Sequence, residues 1–107
     1  MAWMTDNLVG NTSLSNVEAD ISKIFIVRDP EYAVIEVVTA DSETGDLYLY
    51  DSSDGQNWTQ VATVAVNAAS RTVWRVSSVV LRDQCKVTMK LDSGTGTVVA
   101  CYVTRDV

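Results

Sequence analysis

The chain has 107 residues, a hydrophobic share of 47% and a formal net charge of −6. That length holds one domain with its own core, and the acidic balance repels phosphate backbones, which sets nucleic acid aside as a partner. No apolar run approaches the ~20 residues of a membrane-spanning helix, and the start, MAWMTDNLVGN, lacks the basic and apolar stretches of a secretory signal, so no membrane is expected and synthesis is expected in a cytoplasm.

Eighteen valines and eleven threonines with a single proline describe a sheet-forming chain, because β-branched side chains favour a pleated, half-buried setting. Residues 1–16 are polar, with Trp3, Met4, Leu8 and Leu14 irregularly spaced; they read as an N-terminal arm or a poorly patterned first strand. Residues 17–107 read as one domain. A strand is expected over Ser22–Arg28, stopped by Asp29-Pro30. Tyr32–Ala40 follows, apolar on both faces except at Glu36. DSETGD is expected to turn the chain into Leu47–Asp51, and NAAS to separate Trp58–Val66 from Arg71–Leu81. Cys85–Leu91 and Thr97–Thr104 complete the series. Seven to eight short strands between turn signals predict an all-β fold, an antiparallel β-sandwich of jelly-roll or immunoglobulin-like type.

The final pair of strands invites a register. Cys85, Val87, Met89 and Leu91 alternate with Lys86, Thr88 and Lys90, placing the first set on the core face. A three-residue loop, Asp92-Ser93-Gly94, with Gly94 left-handed, makes a hairpin that sets Cys85 opposite Cys101. That cross-strand pair lies within disulfide reach. A cytoplasmic origin favours two reduced, buried thiols, with a bridge forming only after release into an oxidising medium.

The chain has no histidine, which removes the commonest general base and most zinc sites. No glycine-rich loop precedes a helix, so a phosphate cradle is missing. The acidic turns lack the spacing of a calcium loop. No catalytic residues, cofactor or metal are therefore expected, and the protein is read as no enzyme. In DSSDGQNWTQVATV, Asp54-Gly55 is a turn dipeptide, with Ser52, Ser53 and Asn57 capping loop backbone groups. Trp58 is expected to plug the end of the core, on the face of Ala62, Val64 and Val66.

The pattern YDSSDGQNWTQVATV, followed by KVTMKLDSGTGTVVACYV, resembles small β-sandwich modules of tailed-bacteriophage virion proteins over Leu47–Val103. The resemblance implies a capsid decoration or cement protein that binds the outer surface of the head and stabilises it. The implied partner is the major capsid protein, the implied location the virion, and the implied state a homo-oligomer, with a trimer favoured. Trp3, Met4, Leu8, Arg71, Trp74 and Arg75 are the candidate contacts, since Arg and Trp are enriched at binding hot spots. The alternative is a carbohydrate-binding or adhesion module of a virion or tail appendage, with Tyr48, Tyr50, Asp54, Asn57 and Trp58 as the sugar platform.

Overall fold

A computed structural model describes residues 3–7, 11–27, 33–76 and 81–106. These form eight strands: β1 (Trp3–Asn7), β2 (Thr12–Leu14), β3 (Ala19–Asp20), β4 (Phe25–Ile26), β5 (Ala33–Ser52), β6 (Thr59–Val76), β7 (Gln84–Leu91) and β8 (Gly96–Asp106). All pairings are antiparallel, and those of β1 and β2 with β8, β3 and β4 with β7, and β5 with β6 are nested, the first residues with the last and each inner segment with its mirror. β1 and β2 run along β8, β3 and β4 along β7, and β5 along β6. The chain is thus one long ribbon, closed at its tip by residues 53–58 and rolled up on itself. This is the pairing of a jelly roll, one of the two sandwich types expected.

Rolling divides the long strands between two layers. In the first, residues 33–39 of β5 lie between β8 and residues 71–76 of β6. In the second, residues 45–52 of β5 lie between β7 and residues 59–66 of β6. Inward residues alternate with outward ones in both, as period two requires. Ile35 and Val37 lie beside Val103 and Cys101 in the first layer, and with Val98 they form a single core with Leu47, Leu49, Val87, Met89 and Leu91. Each such aliphatic side chain, at or near zero exposure, contributes roughly 1.5–3 kcal/mol of burial. Arg105 ties the layers at one end: its Nε donates to the Ile26 carbonyl at 2.8 Å and its guanidinium lies 5.7 Å from the centre of the Phe25 ring.

Three expectations change here. DSETGD and NAAS do not end strands. They lie opposite each other in the continuous β5–β6 ribbon, at the register shifts around Glu43 and Gly45, and together form the corner between layers. Ala68 takes a left-handed φ of 47°, and its N–H donates to Thr44 Oγ1 at 3.1 Å, which holds the bend from both strands. The residue types are those of a turn, but the turn folds a ribbon instead of reversing a chain. Second, β7 and β8 are no hairpin. Gly94 is left-handed at φ 75° as expected, yet the loop carries the chain from one layer to the other. Cys85 lies beside Asp51 in the second layer and Cys101 beside Val37 in the first, so the two cysteines are not a cross-strand pair. Third, the expected strand at Ser22–Arg28 is reduced, within the described residues, to Phe25–Ile26. For residues 1–16 the described parts are strands, β1 and β2 at the edge of the first layer; Leu8 lies outside the described residues.

The corner has no room at Gly45, where an added Cβ would land on the Lys90 carbonyl oxygen and press on Leu91 Cα, both backbone atoms. At Gly94 nothing stands within 4 Å, and only the left-handed backbone resists a side chain. Gly45→Ala is therefore expected to lower unfolding free energy by about 3 kcal/mol or more, a core-clash magnitude, and Gly94→Ala by only about 1–2 kcal/mol. Urea unfolding of the two variants checks the order.

Candidate functional site

The stretch Ser52–Trp58 builds its own turn. Asp54 Oδ1 accepts the N–H groups of Gln56 and Asn57 at 2.8 and 2.9 Å, while Oδ2 accepts Asn57 Nδ2 at 2.7 Å. Ser52 Oγ donates to Asp54 Oδ1 at 2.8 Å and accepts the N–H of Gly55 at 2.9 Å. These bonds favour the carboxylate, so the Asp54 pKa is driven well below the usual range, first by the Asn57 and Gln56 backbone N–H groups. Gly55 supplies the left-handed φ of 76°. The polar groups that made this loop a candidate for ligand chemistry hold the ribbon's tip.

Asp51, beside the turn, is fully occupied too. Its carboxylate, 3% exposed, accepts Arg82 N–H at 2.9 Å, Nε at 3.0 Å and Nη2 at 2.8 Å. The hydrogen bonds that Arg82 donates to Asp51 come first among the causes that raise its pKa. This two-pronged pair fixes the chain where it enters β7.

The outward face of the second layer gathers the aromatic candidates. Tyr48 and Tyr50 point out from β5, beside Thr88 and Lys86 of β7. Trp58 joins them instead of plugging the core, because the register shifts between Leu49 and Tyr50 and reverses the alternation before Thr59. Lys86 Nζ lies 4.9 Å from the Trp58 ring centre and 5.7 Å from that of Tyr50, and pairs with Asp20 at 3.2 Å. The Tyr50 hydroxyl donates to Glu18 Oε2 at 2.5 Å, and Thr88 Oγ1 donates to the same oxygen at 2.7 Å. Burial, then the Glu18 carboxylate, pushes the Tyr50 pKa up to about 12. Glu18, Asp20 and Lys86 are not singled out by sequence reasoning. The alternation of Lys86 with core residues is the available signal, but the meeting of the three depends on long-range pairing.

The outward face of the first layer differs in character. Val34, Glu36 and Val38 of β5 stand beside Arg75, Val73 and Arg71 of β6 on one side and Thr104, Tyr102 and Ala100 of β8 on the other. Val73 is 46% exposed, and Arg71 Nε meets Glu36 Oε2 at 3.1 Å. Arg71 and Arg75, candidate contacts from the sequence, thus share a surface. Trp74 points the other way, opposite Ile35 and 9% exposed, and belongs to the core. Trp3 and Met4 lie on β1 at the edge of this layer, opposite Asp106 and Arg105.

Both cysteines are free and fully buried. Burial raises each thiol to about 12, for Cys85 with added repulsion from Asp51 and Asp83. A thiol that stays protonated in the core neither attacks nor binds soft metals.

No protein-family model matches the chain. No curated protein sequence matches it either. Solved structures do resemble it in fold. One, described as "Bacillus endospore appendages form a novel family of disulfide-linked pili", superposes with a TM-score of 0.55 at 19% identity, covering 95% of this chain and 85% of that one. The chain therefore shares its β fold with a pilus protein of bacterial appendages.

Two outcomes follow from the buried groups. In native protein at pH 8 both thiols are expected to resist an aromatic disulfide reagent, and in denaturant both react; rapid labelling of the native state contradicts the buried placement. Raised acids favour the folded state only while they are protonated there. Their contribution is complete below the unfolded values of 9.0 for the thiols and 10.0 for Tyr50, and is lost as pH rises through about 12. Stability is thus expected to fall across that alkaline window, and Tyr50→Phe to flatten the part of the decline above pH 10.

Proposed function

We propose that this protein is a non-enzymatic structural subunit, working by packing its sheet surfaces against other proteins in a larger assembly. The observation that carries the reading is the β fold shared along nearly the whole chain with an appendage-forming pilus protein. The side-chain chemistry points the same way. Asp51 is bound to Arg82, Asp54 is consumed by its turn, the thiols are buried as neutral groups, and the sequence holds no histidine. The groups that do face solvent in an organised array are strand surfaces.

In its finer form the reading has two settings. The motif resemblance of Leu47–Val103 favours the outside of a phage head, with the major capsid protein as partner and a trimer bridging neighbouring shell subunits. The fold likeness favours a surface appendage built from copies of one chain. Each needs a subunit that self-associates through surface contacts, and that shared requirement is the conclusion. The carbohydrate-binding alternative has less support: Lys86 sits over the Tyr50 and Trp58 rings, the Tyr50 hydroxyl is held by Glu18, and Asp54 and Asn57 bind each other.

Light scattering and negative-stain microscopy of the purified 11.7 kDa chain over a wide concentration range test this. Oligomers, rings or filaments growing with concentration are the expected outcome. A strict monomer that binds members of a glycan array would replace the structural reading with the adhesion one.

A further inference from the structure

The core is open along one edge. Inward residues of β5 and β7 such as Leu47, Leu49 and Val87 are at 0% exposure. On β6, Val64 and Ala62 stand opposite Leu47 and Leu49 and pack on the same core, yet stay only partly buried. Topology explains the difference. Among the described residues β6 pairs with β5 and with no other strand, so its far side has no neighbour to cover the apolar rim or to meet its row of backbone groups. Folded proteins ordinarily guard such an edge with Lys, Pro or other charge that deters a second strand. Residues 59–70, TQVATVAVNAAS, have no charge, no proline and no glycine.

We infer that residues 62–66 of β6 pair antiparallel with the same residues of a second copy, about a two-fold axis at Val64. The two second layers then become one continuous sheet. The inference rests on the structural-subunit reading and names the surface used. The occupant follows from what the edge offers. A row of unmet backbone groups takes an extended strand, and side chains that close over Ala62 and Val64 must be short and uncharged. β6 itself has that composition, and an antiparallel pair is symmetric under two-fold rotation, so one edge serves both copies. The other described edges fit less well. β1 carries Asp6, residues 17–27 carry Glu18, Asp20 and Lys23, residues 71–76 carry Arg71 and Arg75, and β2 has only three residues.

Register and charge agree with this pairing. Ala62–Val66 is the regular stretch between two register shifts, with Ala62, Val64 and Val66 on the core side and Thr63 and Ala65 outward. A two-fold at Val64 sets Ala62 opposite Val66 of the second copy and Thr63 opposite its Ala65, so inward meets inward. In a chain of net charge −6, an uncharged edge is also where two copies approach with least repulsion. The neighbouring outward carboxylate, Asp46, stands one strand back, opposite Ala65. Across the pair the two Asp46 groups are three strand spacings apart, roughly 14 Å, beyond the ~8 Å screening length of physiological salt. Five residues make a short ladder, so the dimer is concentration-dependent.

Sedimentation equilibrium, with NMR of a mixture of nitrogen-15-labelled and carbon-13-labelled chains, tests this. A dimer is expected, with nuclear Overhauser contacts between copies joining amides of residues 62–66 to methyl groups of the same stretch. Ala65→Lys, at an exposed position, should weaken dimerisation by about tenfold or more, since the change occurs twice across the axis, while its spectrum stays that of the folded chain. Val73→Lys adds the same charge on the outer face of the first layer and should leave dimerisation unchanged. Contacts between copies that map to another surface, or association as strong in Ala65→Lys as in the native chain, overturn the inference and leave the structural-subunit reading standing. A native chain that stays monomeric to the highest concentration overturns the inference and counts against self-assembly as well.

Discussion

A strand of 20 residues does not fit straight into this molecule. At ~3.4 Å per residue β5 would extend about 70 Å, while the longest dimension of the protein is 38 Å. Its partner β6, at 18 residues, has the same difficulty, so the ribbon they form must bend once near its middle. The bend falls at Gly45, which has no side chain to collide with Lys90, and opposite it around Ala68, whose left-handed backbone is held by Thr44. All else in the fold is consequence. One half of the ribbon becomes the first layer and the other half the second, with the apolar side of both turned inward. The segments on either side then follow the same curve, β8 along one half of β5 and β7 along the other.

This single constraint also decides which side chains meet. Because β7 and β8 flank different halves of β5, Cys85 and Cys101 are separated by layer, and each is a buried, neutral thiol. Because the register shifts by one residue before the tip, Trp58 leaves the core and joins Tyr50 under Lys86. The tip itself is stabilised from within by Asp54, and the entry to β7 by the Asp51–Arg82 pair. The polar groups of the tip and of the entry to β7 are engaged in shaping the molecule. That is the physical basis of the building-unit proposal, which rests on the outer strand faces.

Much of this architecture is legible in the sequence, and the parts that are not share a cause. Strict alternation in Cys85–Leu91 marks that strand and its inward face, and Gly55 and Gly94 are left-handed where the turn chemistry places them. DSETGD and NAAS read as chain reversals because a ribbon corner and a reversal use the same small and polar residues. Only the pairing across the ribbon tells them apart, and that is a long-range property. The hairpin register for the cysteines fails for the same reason: two adjacent alternating segments need not be each other's neighbours. For the site, Arg71 and Arg75 are legible as exposed residues two positions either side of Val73, whereas Trp74 faces inward by simple parity. Glu18, Asp20 and Lys86 are out of reach, since their meeting with Tyr50 requires knowing that β3 borders β7.

The rolled ribbon is tested most directly by cross-strand backbone nuclear Overhauser contacts in uniformly labelled protein. Rolling the ribbon requires contacts between Val37 and Cys101 and between Asp51 and Cys85, with none between Cys85 and Cys101. A direct Cys85–Cys101 contact, with the Val37–Cys101 contact missing, would show a plain β7–β8 hairpin and contradict the rolled fold.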